Sequence, residues 1–316
     1  MPLGMAADVN LLCPAQSSLN IAREPFRIEA AMILKTFKTA AEFLQEVRPA
    51  LEISEAANNL MFGLALRLDR YHERIMIPPY FAVMRRKREL QAAVLMTPPH
   101  NLVAMSTNPD YSIEAFDLVT RNLRNENWQV PGVLGPNEAA LAFAKVWRSL
   151  TGEAYVLDMH ERVYELRKVV PPAQPPGRMR LATMADLDLV ARWIIEFRAE
   201  ALPQESTTAE DALEGARIKI EDQDFYLWED GQPVALAGRT RPTPNGYCIG
   251  PVYTPVAFRC KGYATALTAA LSQVLLDSGK KFTVLFTNLS NPTSNRIYRK
   301  IGYRSVCDFD QYLFGE

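Results

Sequence analysis

The segment VPPAQPPG, Val170 to Gly177, divides this chain. Its prolines at 171, 172, 175 and 176 lack backbone donors and favour extended backbone, so the segment reads as a semi-rigid linker over 170–176. It separates two blocks, 32–169 and 177–316, of nearly equal length. In the first block the spacing predicts helices within "FLQEVRPALEISEAANNLMFGLALRL". Strands follow at "YFAVMRR", "ELQAAVLMT" and "NLVAMST", helices at 113–124 and 137–150 around a short "QVPGVLG", and a closing strand "AYVLDMHERVYELRKV". The second block opens on a helix capped by Thr183 or Asp186, with a second helix over 209–221. Strands then follow around the Asp230-Gly231 turn and at "YCIGPVYT". A long helix, the strand "KFTVLFT", a helix over 292–301 and a last strand complete it. Both blocks read α-α-β-β-β-α-β-α-β, a degenerate tandem repeat.

Several classes of function are excluded at this level. A net charge of −1 argues against nucleic acid as a partner. No apolar run approaches the roughly 20 residues of a membrane helix. The cysteines at 13, 248, 260 and 307 show no CxxC spacing and the three histidines are scattered, so neither a metal site nor a disulfide framework is expected. Free thiols suggest the cytoplasm. Residues 1–31 lack the apolar core of a secretory signal. They read as a disordered extension, or as translation upstream of a start at Met32.

The chemistry concentrates in "YTPVAFRCKGYATALTAALSQ", 253–273. Apolar positions at Ala264, Leu267, Ala270, Leu271, Val274 and Leu275 give a helix packed on a sheet, which Gly279 is placed to end. The first amides of a helix have no intrahelical acceptor, and the helix end carries about half a positive charge. Such an end binds anions. Gly262 lets backbone approach a ligand closely, and Arg259 and Lys261 add positive potential. A surface turn with two solvated cations would read the same way, and neither GxxxxGK[ST] nor GxGxxG is present. The second element, "LFTNLSNPTSNRIYRKIGY", runs a strand into a helix with Asn291 as N-cap and Pro292 at its first position. Tyr298 lies about two turns on. If strands 252–254 and 284–287 lie side by side and splay, a groove opens between them.

Arg259-x-x-Gly262-x-Ala264 resembles the [RQ]xxGx[GA] acyl-CoA loop of the GNAT N-acetyltransferase superfamily. Asn291 to Tyr298 with Ile301-Gly302-Tyr303 resembles its Asn…LeuTyr…GlyPhe segment, with Ser294 where a small alanine is common. The stretch from 252 to 304 is similar to a bacterial tandem group of that superfamily. The resemblance covers 177–316; the first block resembles a GNAT half by element order alone. It implies an α/β fold of two GNAT-like mixed β-sheet domains flanked by helices, in tandem, the second catalytic. It also implies acetyl-CoA as co-substrate. Backbone amides of Cys260, Lys261, Gly262, Tyr263, Ala264 and Thr265 would hold its pyrophosphate. Val252, Tyr253 and Thr254 would pair with the pantetheine arm, with Asn288, Asn291 and Ser294 beside it. Tyr298 would stand near the thioester sulfur as a catalytic acid.

The matching turn of the first block, "STNPDYSIEA" (106–115), has no glycine and carries Asp110 and Glu114. A diphosphate would be repelled there, so no CoA is expected in that half. Cys260 is expected to contribute its backbone alone, although neighbouring cations could activate its thiol. The repeated "HER" at His72 and His160 is taken as chance, and "MRRKRE" at 84–89 as a solvated turn. A general base is not visible. A lysine-type acceptor, with a pKa of about 10.4, costs roughly 4–5 kcal/mol to deprotonate at pH 7, yet the strand before the loop carries no acid. Glu205, Asp224, Asp308, Asp310 and a water chain stay open. The expected activity is acetyl transfer from acetyl-CoA to an unidentified amine by direct attack. A non-catalytic acyl-CoA sensor and a transferase with another acyl donor are the alternatives. Two roles stay open for the first half, shaping the acceptor site or self-association as a homodimer.

Overall fold

A computed structural model describes residues 30–201 and 207–315. The expected extension over 1–31 and the candidate Glu205 lie outside the described residues, apart from positions 30 and 31. The first half runs β1 (Met32–Phe37), α1 (Ala40–Ile53), α2 (Asn59–Arg70), β2 (Tyr80–Arg86), β3 (Glu89–Met96), β4 (Leu102–Ser106), α3 (Ser112–Asn125), β5 (Gly132–Pro136), α4 (Asn137–Thr151) and β6 (Ala154–Leu166). The second repeats it as β7 (Arg178–Leu181), α5 (Leu187–Ala201), α6 (Ala209–Glu221), β8 (Phe225–Glu229), β9 (Pro233–Thr240), β10 (Gly246–Tyr253), α7 (Tyr263–Asp277), β11 (Phe282–Asn288), α8 (Pro292–Lys300) and β12 (Arg304–Gly315). The opening strand of each half, β1 and β7, was not among the predicted elements. Both are outer strands of the sheet. An outer strand bonds along one side only and needs no continuous apolar run, so "RMRL" gives little periodic signal.

The two halves share one twelve-stranded sheet, in the order β1-β2-β3-β4-β5-β12-β6-β11-β10-β9-β8-β7. Its centre is a reciprocal exchange. Strand β6 ends the first half in sequence, yet its two neighbours are β11 and β12 of the second. Strand β12 ends the second half and lies between β5 and β6 of the first. The β6–β12 register runs antiparallel from Glu165↔Arg304 to Ala154↔Gly315. Cross-strand side chains reinforce it, Arg162 with Asp308 at 2.7 and 3.0 Å, and Gln311 with Asp158 at 2.8 Å.

Helices cover both faces. In the first half α1 and α2 pack on Phe81, Val83, Leu95 and Val103, while α3 and α4 bury Phe116, Phe143 and Trp147 on the opposite side with Tyr312 of β12. In the second half α5 and α6 take one face and α7 the other, and α8 packs beside α7 through Tyr298, Ile301 and Tyr303. The α1–α2 corner reaches across the halves. Ala56 and Leu60 pack with Val163, Cys248, Val284 and Phe309. Helix α7 is rotated from the expected stripe: Val274 is 42 % exposed, whereas Thr268 and Ser272 are fully buried. Ser272 Oγ pairs with the Tyr303 hydroxyl at 3.0 Å, so α7 faces both the sheet and the strand after α8. Among the described residues no helix is long and apolar enough to cross a membrane.

The linker is tied at both ends, Val170 N to the Ile301 carbonyl at 2.9 Å and the Pro176 carbonyl to Trp228 Nε1 at 2.9 Å. Backbone hydrogen bonds stabilise by about 0.5–1.5 kcal/mol each, and both ladders of β6 reach the other half. Cleavage at an engineered protease site after Ala173 should therefore leave the two fragments associated one to one in size-exclusion chromatography. Separation into two folded monomers would refute the exchange.

Candidate active site

Three features converge on β10, β11 and the helices after them. The first is the turn before α7. Cys260 and Gly262 both have positive φ, +64° and +85°, the left-handed backbone from which anion-binding nests of successive amides are built. Gly262 is the N-cap of α7 and supplies no side-chain acceptor, and the first helical bond is Ala266 N to the Gly262 carbonyl. The amides of Tyr263, Ala264 and Thr265 are thus the open donors of a helix start. A Cβ built on Gly262 meets nothing within 4 Å, so the nest opens outward. Tyr263 is anchored by its hydroxyl on Asp230 at 2.6 Å. Cys260 and Lys261 are exposed, with Lys261 Nζ 5.7 Å from the Phe258 ring. Arg259 differs from expectation. Its guanidinium turns back to Glu200 of α5 at 2.7 Å and to the Thr254 carbonyl at 2.9 Å. It closes the loop, and its charge is largely balanced there.

The second feature is the splay. Strands β10 and β11 pair in parallel only over Gly246↔Phe282, Tyr247↔Thr283 and Cys248↔Val284. Beyond that β10 breaks register with β9 between Ile249 and Val252, and its remaining residues have no partner on β11. Val252 and Tyr253 pair with Ala237 and Leu236 on the β9 side, leaving their other edge toward the opening. The Tyr253 ring packs into α5, with its hydroxyl on Glu196 at 2.9 Å. Thr254 Oγ1 is buried without a hydrogen-bond partner. An orphaned buried hydroxyl, an uncapped helix start and an open nest in line suit a thin, polar, diphosphate-ended ligand such as CoA. Thr254 and the Cys260–Thr265 amides would hold it.

The third feature is α8. Asn291 Oδ1 accepts from Ser294 N at 3.0 Å with Pro292 next in the helix, as its sequence predicts. Asn288 Oδ1 accepts from Ser290 N and Oγ at 2.8 and 2.7 Å, so its carboxamide orders the turn. Tyr298 is buried beside Tyr303, ring centroids 6.0 Å apart. Burial pushes its hydroxyl up to about 12, against a hydrogen bond with Ser294 that lowers it. The group keeps its proton at neutral pH, as an acid must.

One cluster was not foreseen. Arg241, just after β9, donates from Nε to Asn59 Oδ1 of α2 at 3.2 Å, and Asn59 Nδ2 returns a bond to the Arg241 carbonyl at 3.2 Å. Its Nη2 lies 2.9 Å from Cys248 Sγ, and its guanidinium 4.9 Å from the Phe286 ring. Glu161 of β6 stands opposite Asn288 at the end of β11. Side chains alternate along a strand, so Glu161 shares the face of Val163, which packs with Cys248 and Phe309. Burial pushes its carboxyl up to about 6, with Arg241 pulling down. Glu161 belongs to the "HER" taken as chance. Only strand pairing brings it beside residues over a hundred positions away.

The open carboxylates of the second half are tied elsewhere. Asp224 pairs with Lys219 and Arg239 at 2.7 and 2.9 Å, Asp308 with Arg162, and Asp310 with His160 and Tyr312. The first half's equivalent turn is also satisfied internally. Asn108 Oδ1 accepts Asp110 N at 3.1 Å, Ser106 and Ser112 hydroxyls pair at 2.7 Å, and Glu114 pairs with Arg86 at 3.0 Å. Strands β4 and β5 stay close past their last pair, Val103↔Leu134. A Cβ on Gly135 would overlap the Ala104 carbonyl, so glycine there permits closeness where the second half has a gap. The cavity beyond, of about 360 Å³, is lined by Ser106, Ser112, Pro136 and the acidic Glu138 among others.

Residues 229–313, from the end of β8 into β12, match the family described as FR47-like protein. No curated protein matches the chain. Among solved structures, an acetyltransferase of the GNAT family from Colwellia psychrerythraea superposes with a TM-score of 0.53 at 13 % identity, covering 90 % of this chain and 100 % of that one. A GCN5-related N-acetyltransferase from Sphaerobacter thermophilus gives 0.58 at 18 % identity, over 89 % and 94 % of the two chains. A tandem GNAT protein from the clavulanic acid biosynthesis pathway gives 0.55 at 13 %, over 90 % and 98 %. The fold is thus that of the GNAT acetyltransferases in their tandem form, and at these identities the likeness is one of fold.

Calorimetry with acetyl-CoA should give one site per chain, because only the second half combines nest and splay; two sites would refute this account of the first half. Gly262→Glu should abolish that binding by placing bulk and negative charge in the nest. Loss of left-handed freedom there costs about 1–2 kcal/mol, so the fold should persist. Cys260→Ala should bind as the wild type does.

Proposed function

We propose that this chain is an N-acetyltransferase that moves acetyl from acetyl-CoA to an amine, with the reaction in its second half. The observation that carries the reading is the alignment of the β10–β11 opening with the nest at the start of α7, which suits an anionic head and an extended arm. The thioester would lie where the strands part, near Cys248 and Val284. A charged acceptor would approach from the α5–α6 face, under the α1–α2 corner. The amine attacks the thioester carbonyl directly and the carbon–sulfur bond breaks. The thiolate of an ordinary thiol, pKa about 8.5, is already a fair leaving group. Tyr298 gives a proton to the departing sulfur. Its place beside Ser294, behind the Asn291 cap, supports that role.

Incubation with acetyl-CoA and a library of amines, followed as free thiol, should show acceptor-dependent release. Tight binding of acetyl-CoA with no release for any amine would favour the sensor instead. Tyr298→Phe removes only the hydroxyl and keeps the buried ring. A positioned acid contributes roughly 10²–10⁴ in rate, less where the leaving group needs little help. The expected result is a fall in kcat of at least tenfold, with acetyl-CoA affinity and melting temperature almost unmoved. An unchanged kcat with chemistry rate-limiting would remove Tyr298 from the mechanism, and a matched loss of stability would make it structural.

A further inference from the structure

An acceptor ammonium must lose a proton before its nitrogen can attack, and among the described residues the second half offers no free carboxylate of its own at the opening. Asp224, Asp308 and Asp310 are paired, and Glu196 and Glu200 hold Tyr253 and Arg259. Glu161 differs from all of these. Among the described residues it makes no hydrogen bond or ion pair, although it is partly buried. It sits on the sheet face that an acceptor would approach, opposite Asn288, where β11 has already parted from β10. Arg241 supplies positive potential nearby without bonding it, because its donors are committed to Asn59 and Cys248. A half-buried carboxylate with no partner is costly unless something comes to it. A cationic amine is the partner that this charge and position fit.

We propose that Glu161, carried into the second half's site on the exchanged strand β6, is the general base that deprotonates the acceptor ammonium. The inference rests on the acetyl-transfer reading above. In the step, the Glu161 carboxylate takes one proton from R–NH₃⁺. The freed nitrogen forms the bond to the acetyl carbon while the carbon–sulfur bond breaks. The second nitrogen proton balances the one taken by sulfur, and Glu161 returns its proton to solvent. The net release is one proton per turnover. The first half is then part of the catalytic machinery. It provides the base through β6 and, through Asn59 of α2, positions the Arg241 that keeps this base ionised.

The charged and titratable groups on this face are Arg241 after β9, Cys248 of β10, Cys307 of β12, Glu165 and Arg167 further along β6, and Glu55 at the α1–α2 corner; α2 presents the neutral Asn59. Cys248 is fully buried and its thiol is raised by that burial. Burial likewise raises Cys307, to about 11. Both thiols therefore stay neutral in the relevant range. Glu161 is lifted toward 6 by burial, so it is ionised, and competent as a base, above about pH 6 and loses that form below it.

The test is the pH profile of kcat/KM for wild type, Glu161→Gln and Glu161→Asp, with an alkyl amine acceptor found by thiol release. Wild type should show a plateau from about pH 6 up to the acceptor's own pKa, because carboxylate and ammonium form the productive pair throughout. Glu161→Gln should lose about 10²-fold or more at pH 7. It should instead rise tenfold per pH unit until the free amine predominates, nearly recovering there. Its acetyl-CoA affinity should match wild type and its melting temperature should be no lower, since a costly buried charge is removed. Glu161→Asp should be slower yet keep the plateau, which a merely structural role would not produce. A Glu161→Gln profile parallel to wild type overturns the assignment while leaving acetyl transfer intact. No thiol release by wild type with any amine overturns the acetyl-transfer reading, and this inference with it.

Discussion

The antiparallel seam between β6 and β12 is the interaction on which the molecule depends. Each strand closes the half to which it does not belong in sequence, so neither half has a complete sheet alone. The backbone groups of β6 are satisfied on one side by β11 and on the other by β12; without the second half both sides would face water. Long-range pairing of this kind spends loop-closure entropy before it returns hydrogen bonds. The proline-stiffened linker, tied at both ends, limits the conformations to be lost. The exchange also explains why the α1–α2 corner lies over the second half's strands, where Ala56 and Leu60 share a core with Cys248 and Val284.

The same template has two outcomes at its two strand–turn–helix junctions. In the second half, positive φ at Cys260 and Gly262 leaves the start of α7 unsatisfied and facing out. In the first half, Asn108, Ser106 and Ser112 consume the equivalent donors and acceptors among themselves, and β5 stays against β4. An uncapped helix start is a cost of about 1 kcal/mol in an isolated fold. The second half keeps that cost and the first half does not, as the proposed anionic ligand of the second half would require. The contrast supports one cofactor site per chain better than the acidic residues of the first turn do alone.

Much of this was legible in the residues. The 3.6-residue pattern marked the helical stretch of α1 and α2 and located α3 to α7, Gly262 marked the turn before α7, and the Asn291-Pro292 pair marked the start of α8, because each depends on neighbours within a few positions. The burial stripe of α7 was misplaced, since Thr268 and Ser272 are buried, Ser272 against Tyr303, a contact from beyond α8. The edge strands β1 and β7 escaped notice because one-sided pairing leaves a weak pattern. Arg259 looked like a free cation and is instead held by Glu200, fifty-nine positions earlier.

By itself, then, the sequence determined two matching runs of elements short of their opening strands, the glycine turn before α7, and the helix carrying Tyr298. These follow from local backbone preference and from periodicities of two and 3.6 residues, which any short window displays. The tertiary structure decided which strands lie side by side. Alternation along β6 tells that Glu161 and Val163 share a face, but nothing in it says that Asn288 and Phe309 are their neighbours. Register between distant strands is a property of the assembled sheet. For that reason a carboxylate written in the first half stands, folded, at the opening of the second.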